Sequence, residues 1–406
     1  MKISLLTLYT PTPENVRGPS ALPYYLLKHR HPDIEVEVYS FNRNQVSKEQ
    51  VRCVEQALNL HIHLWSLPVW YRFLEKFHLT MVRVFLNYPL FCYIQPSKKQ
   101  LAQLTTNHPD VIWHYMDTFI GVSNRLPQYK HVITGPDSPS LVYYRQIVDL
   151  PSFRNLIFYL GLSKVVYASV RQMRYPVGDN VVYHIVGKED CDVIHRADPH
   201  KRCVFLLHPH YELAHEISVN FSKRPLSILF AGAYNFYTFT AMDNAISALA
   251  NMDEHLKQAF SFTFLGAGWE KCCQILTHAG CKATHIRWVD NYVESISKYD
   301  IFLYPISVGA GTKGKMLDAL ANGLLAIGTN VALENISVTD GESCIIYQQT
   351  RQLPGILDDI LSRPSHYENI TRRGMEQVRK YHAPERCSAQ FFNFVTAFYN
   401  NELKDA

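Results

Sequence analysis

Residues 300–329 read DIFLYPISVGAGTKGKMLDALANGLLAIGT, and the order of apolar runs and glycines in this stretch decides the fold. Ile301–Tyr304 is a short apolar run of the kind that forms a buried strand. It leads into a loop holding Gly309 and Gly311, a helical pattern beginning near Thr312, and a second apolar run at Leu324–Gly328. Strand, glycine loop, helix and strand make the repeating unit of a parallel sheet, because parallel neighbours need a crossover connection. The layout also has a mechanical meaning. Glycines let backbone N–H groups approach an anion closely, and a helix starting there aims its positive dipole end at the same place. Gly309, Ala310, Gly311 and Thr312 therefore read as a diphosphate cradle. Lys313 and Lys315 add positive charge where a departing nucleoside diphosphate gathers negative charge, which makes them the candidate catalytic cations. Asp318, three residues after Lys315 and on the same helix face, can accept hydrogen bonds from a ribose diol.

Outward from this stretch, short β-branched or aromatic runs alternate with helical patterns along the chain, so the fold class is α/β. In the first half the runs are Ile3–Thr7, Glu35–Tyr39, Val111–His114, His131–Thr134, Val181–Val186 and Val204–Leu207. In the second they are Leu226–Phe230, Ser261–Leu265, Thr284–Arg287, Ile301–Tyr304, Leu324–Gly328 and Ser343–Tyr347. Two six-stranded sheets are expected. The 406 residues exceed what a single core of roughly 250–300 residues holds, so two domains are expected. The aperiodic segment 210–224 reads as the linker between them. The expected domains are residues 1–210 and 211–383, with the aromatic helical segment 384–406 packing back on the first.

Composition narrows the function classes. With 47% hydrophobic and 19% charged residues the chain can build packed cores, and a net charge of +4 gives no global field for nucleic acid. Nine cysteines without a CxxC pair fit a reduced, cytoplasmic protein. No stretch reaches the roughly 18 uninterrupted apolar residues of a spanning helix. Two segments, 65–93 and 153–175, mix aromatic and aliphatic residues with Arg72, Lys76, Arg83, Arg154, Lys164, Arg171 and Arg174. That composition suits peripheral contact with the inner face of the plasma membrane, and equally suits core-facing helices with a solvated basic side. The HxH spacings at His61/His63 and His208/His210 suggest no third and fourth ligand, so no metal is expected.

The stretch GAGTKGKMLDALANG at 309–323 resembles the donor signature of family 4 retaining glycosyltransferases, Gly-x-Gly-(Thr)-(Arg/Lys)-x-Lys-x-x-Glu-Ala-x-Ala-x-Gly. RWVDNYVESISKYDIFLYP, FAGAYNFYTFTAMDNAI and FTFLGAGWEK extend the resemblance across much of residues 181–330. It implies a GT-B fold, two Rossmann-like domains facing across a cleft. It also implies a nucleotide-sugar donor held by the second domain, a glycan or lipid-linked acceptor held by the first, retention of configuration, and no required metal. Gly232 and Tyr234 fall in the first donor-domain loop, and Arg287 and Val289 beside the base. Gly18 and Ser20 fall in the cleft loop of the first domain. Asp137, at the end of the strand His131–Thr134, is expected in the acceptor or sugar site, although a turn aspartate capping the next helix fits the same position.

The chain departs from the family in two places. The paired carboxylates of much of the family are separated by seven residues, and here they fall on Ala310 and Asp318, so the leading one is absent. The first donor-domain loop carries Ala233, Tyr234 and Asn235 where an Arg and Lys phosphate clamp is usual. Two other enzyme classes fit parts of the pattern. GAGTKG also matches a dinucleotide loop with Glu334 as the ribose acid of an NAD(P)-dependent oxidoreductase, although Glu334 lies well past the end of the second strand. A nucleotide-sugar epimerase of the same fold shares the cradle.

Overall fold

The computed structural model describes residues 1–13, 18–77, 86, 89–135, 137–148, 156–234 and 239–403. Of the residues singled out above, Arg83, Arg154, Asn235 and part of the loop before Gly18 lie outside that set.

The chain divides into two compact units. The first comprises Met1–Tyr144, Ser152–His208 and Pro384–Ala406, and the second Arg145–Pro151 and Pro209–Ala383. In the first, the strands are β1 (Lys2–Thr7), β2 (Glu35–Ser40), β3 (His61–Leu64), β4 (Val111–Tyr115), β5 (Lys130–Gly135), β6 (Val181–Ile185) and β7 (Cys203–Phe205). They form one sheet in the order β3-β2-β1-β4-β5-β6-β7, parallel throughout. Seven strands replace the six expected. The addition, β3, is four residues long at the sheet edge, and only Ile62 of its HIHL is buried. A strand buried through a single residue has no apolar run to announce it.

The second unit holds β8 (Leu226–Ala231), β9 (Phe260–Leu265), β10 (Lys282–Ile286), β11 (Ile301–Tyr304), β12 (Leu325–Gly328) and β13 (Ile345–Ile346). Their order is β10-β9-β8-β11-β12-β13, again parallel throughout. Both sheets are Rossmann-like, with helices connecting parallel strands. In each, the chain winds outward in both directions from a central pair, β1/β4 and β8/β11. Loops at the carboxyl ends of such a pair splay apart and leave a crevice for ligand. The glycine loop after β11 stands at that position in the second sheet.

The helix Pro384–Tyr399 belongs to the first unit, as its aromatic face requires. Phe391 lies 4.6 Å from Trp113 and 4.9 Å from His184, centroid to centroid, and the Ser388 hydroxyl donates to the Leu26 carbonyl at 2.7 Å. Burying Phe391 alone is worth about 1.5–3 kcal/mol.

The segment 210–224 is seated on the second unit. Phe221 is buried in that core, and a Cβ at Gly323 would sit 2.4 Å from Ile217 Cγ2. Buried Asn322 accepts from the Ala214 amide at 2.8 Å and donates to the carbonyls of Glu212 and Asp318 at 3.3 and 2.8 Å. Single anchors of this kind leave no periodic signal.

Candidate active site

β11 ends at Tyr304, and the chain reaches the helix Gly314–Ala321 through a loop with Gly309 at φ +152° and Gly311 at φ +61°. Both values favour glycine. The helix starts at Gly314, two residues later than the pattern placed it, with Lys313 as its N-cap. Met316, Leu317, Ala319, Leu320 and Ala321 are buried, which fixes the helix against the sheet and sets where its polar residues point.

Lys315 reaches across to the loop after β8. A Cβ at Gly232, itself at φ +123°, would meet Lys315 Cε at 3.2 Å, so the lysine stem lies flat on that glycine. The predicted catalytic cation Lys315 and the predicted donor residue Gly232 are thus brought together. Burial lowers the Lys315 pKa, with Asp318 opposing the shift. Burial also raises the Asp318 carboxyl to about 7, Lys315 opposing it and Glu212 adding to it. Its Oδ1 is sequestered and has no hydrogen-bond partner among the described residues. An unsatisfied buried oxygen costs about 1–3 kcal/mol and marks a place where an incoming hydroxyl gains a bond. Tyr292, which sequence reasoning passed over, belongs to the same cluster: its hydroxyl is likewise unpartnered there, and burial, then Asp318, raise its pKa well above the ordinary value.

Lys313 has a different setting. Its Nζ donates to the carbonyls of Ala310 and Gly311 at 3.2 and 2.7 Å and to Glu334 Oε1 at 2.8 Å. Arg145, grouped with the second unit, donates through Nη1 and Nη2 to the two Glu334 oxygens at 2.7 and 2.8 Å, and through Nη1 to the Gly309 carbonyl at 2.6 Å. Two cations and one carboxylate therefore clasp the glycine loop, with side chains 9–17% exposed. No motif announces Arg145, and its partner Glu334 lies 189 positions along the chain. Glu334 engaged in this way is not the uncommitted ribose acid that a dinucleotide-binding enzyme needs, so the oxidoreductase alternative is not favoured.

The remaining predicted residues are spread over loops of their own units, except Gly18 and Ser20, which stand in the first turn of a helix rather than in the expected loop. Tyr234, two residues after Gly232, packs its ring at a tilt against Phe239 and Trp269 and donates its hydroxyl to Asp243. Arg287 and Val289 follow the end of β10, the first exposed and the second packed against the core. Gly18 opens the helix Gly18–Lys28, and buried Ser20 accepts from the Thr12 amide at 3.3 Å. Asp137 is exposed just after β5, while buried Asp190 accepts from the Ser138 amide at the start of the next helix. His61 pairs with Glu55 and His63 with Glu37. Among the described residues no group of three or more potential ligands gathers for a metal.

Residues 245–393 match a family model described as glycosyl transferase-like. No curated protein sequence matches the chain. The fold is similar to that of HepE from Anabaena, solved with UDP and glucose, at a TM-score of 0.60 and 12% identity over 98% of this chain and 100% of that one. Sucrose-phosphate synthase from Thermosynechococcus elongatus gives 0.63 and 11%, over 98% and 99%. WaaG, a glycosyltransferase involved in lipopolysaccharide biosynthesis, gives 0.58 and 14%, over 96% and 99%. At these identities the likeness is one of fold. The family match covers residues 245–393, and the likeness along nearly the whole chain is to glycosyltransferases of the GT-B fold.

Proposed function

We propose that the protein is a retaining glycosyltransferase that takes a nucleotide sugar on its second unit. The observation that carries this reading is the meeting of Lys315 with Gly232 beside the unpartnered Asp318 Oδ1. The Gly309–Gly311 backbone and the helix start receive the diphosphate, and Lys315 stabilises the charge that builds on it as the bond to the sugar breaks. Asp318 accepts from the ribose diol. Tyr234, Arg287 and Val289 border the nucleoside, and Asp137, Gly18 and Ser20 serve the acceptor side. HepE, solved with UDP and with UDP-glucose, lends support to a nucleotide-sugar donor. With alanine at position 310 the backbone of the loop takes the place of the family's leading carboxylate, and no metal takes part. Product formation with the donor's anomeric configuration kept, and undiminished in EDTA, is the expected result; an inverted product or chelator-sensitive turnover contradicts it.

For the acceptor we propose a glycan or lipid-linked sugar in cell-surface polysaccharide or glycoconjugate synthesis, reached from the membrane surface. No helix among the described residues is long and apolar enough to cross a membrane. The helix Leu156–Met173 nevertheless exposes Tyr159, Leu160, Leu162, Val166 and Tyr167 beside exposed Lys164. Arg171 is not part of that surface, because it pairs with Asp117 at 2.7 Å. Apolar side chains flanked by cations fit an anionic interface.

A further inference from the structure

A backbone anion cradle works only if consecutive N–H groups face the ligand together, and in a trans peptide the carbonyl of one residue points opposite to the N–H of the next. The peptides of this loop are trans, since Arg224-Pro225 is the one cis bond among the described residues. Turning the N–H groups of residues 310, 311 and 312 one way therefore means holding the carbonyls of Gly309, Ala310 and Gly311 the other way. Arg145 holds the first, and Lys313 holds the second and third. Glu334 holds both cations in turn, one oxygen accepting from each of them and the other from Arg145 alone.

We propose that Arg145, anchored by Glu334, is a positioning residue that sets the glycine loop for the donor's diphosphate. The proposal rests on the donor reading above. It accounts for two features that reading leaves open. The β8 loop lacks the usual basic clamp, and the Arg145–Glu334–Lys313 cluster sets two cations beside the neighbouring loop in its stead. A side chain at Gly309 would be strained, because its Cβ would sit 3.0 Å from Lys313 Cε at a φ that side chains avoid. A guanidinium also suits the task better than an ammonium, since its planar fork holds a carboxylate at two points while one N–H remains directed at a carbonyl.

The test is calorimetric titration of the full chain with the di- and monophosphates of uridine, guanosine, adenosine, cytidine and thymidine, reading the preference for diphosphate over monophosphate of the base that binds. That ratio isolates the cradle, because general damage to the fold weakens both ligands alike. Arg145→Met is expected to cut the preference by about tenfold or more, the scale of a charge-assisted hydrogen bond. Arg145→Lys is expected to lose it as well, although the charge is kept. Glu334→Gln serves if the arginine variants do not fold, and separates positioning from charge. A loosened loop lowers the preference, whereas a pure charge effect raises it, since a carboxylate is lost beside two cations. An unchanged preference in Arg145→Met with a loss in Lys315→Ala overturns this inference and leaves the donor site standing. Failure of the wild type to bind any of the diphosphates overturns both.

Discussion

The helices Gly314–Ala321 and Leu156–Met173 are both rich in apolar residues, but only the first buries what it carries. Met316, Leu317, Ala319, Leu320 and Ala321 are wholly enclosed, while Tyr159 and Leu160 are more than half exposed. The difference separates two kinds of constraint. The donor helix is gripped on its apolar faces, and its few polar positions, Lys315 and Asp318, are thereby aimed. The helix of the first unit keeps apolar surface that its own unit does not cover, a surplus that soluble monomers seldom tolerate in contiguous form.

If burial sets the two helices apart, the largest single loss should come where the first unit does bury its aromatics. Phe391→Ala removes a side chain packed on Trp113 and His184 and should cost about 3–5 kcal/mol, read by denaturant unfolding. The loss should appear as faster hydrogen exchange in β4 and β6, with the strands of the second unit unaffected.

Next in size is Lys315→Ala, which should lower turnover by about 100-fold at saturating donor, the effect of losing one stabilising donor to a developing anion. Near wild-type turnover would mean that the buried helix aims its lysine at nothing.

Asp318→Ala should weaken nucleotide binding by about 1.5–3 kcal/mol in calorimetry. The same carboxylate gives a pH signature. Its folded pKa is raised to about 7 from an ordinary 3.8, so the folded chain binds more protons than the unfolded one across that window. The stabilisation it contributes is fully present below about 4 and is lost as pH rises through 7. The melting temperature of Asp318→Asn relative to wild type should therefore rise between pH 5 and pH 8, and a flat difference would show that the carboxyl is not held in its neutral form.

The smallest effect tests the exposed helix. Binding to anionic vesicles at low salt should exceed binding to neutral ones, weaken in 1 M salt, and fall with Tyr159→Ser/Leu160→Ser. Lys164→Glu should remove about 1 kcal/mol of attraction. Equal binding to both vesicle types, unchanged in these variants, would mean that the exposed face serves a soluble partner.

How far the sequence discloses the fold follows the same division. β11 and β12 are continuous apolar runs, and β8 and β9 are apolar except at Ser227, Ser261 and Thr263; strands so largely buried are visible without knowledge of their partners. β3 escapes notice because a half-polar edge strand is defined by its neighbour β2 rather than by its own residues. The same holds at the site. Gly309, Gly311, Lys315 and Asp318 lie within ten positions of one another and read as a motif. Arg145 and Glu334 are far apart in the chain, and each alone is an ordinary charged residue. Lys313 shows the limit within the motif itself: its charge is legible, but its engagement with Glu334 and the loop carbonyls depends on distant residues.

The central claim, that the loop from Gly309 and the helix carrying Lys315 and Asp318 hold a nucleotide sugar, is tested most directly by thermal shift of the full chain against UDP-, GDP-, ADP-, CMP- and TDP-sugars. A ligand at 100 times its Kd stabilises by about 2.7 kcal/mol, enough to resolve the preferred base. The expected result is a clear rise in melting temperature with one base, lost in Lys315→Ala and reduced in Asp318→Ala. A wild type that responds to none of the five, or a response that both variants keep in full, would contradict it.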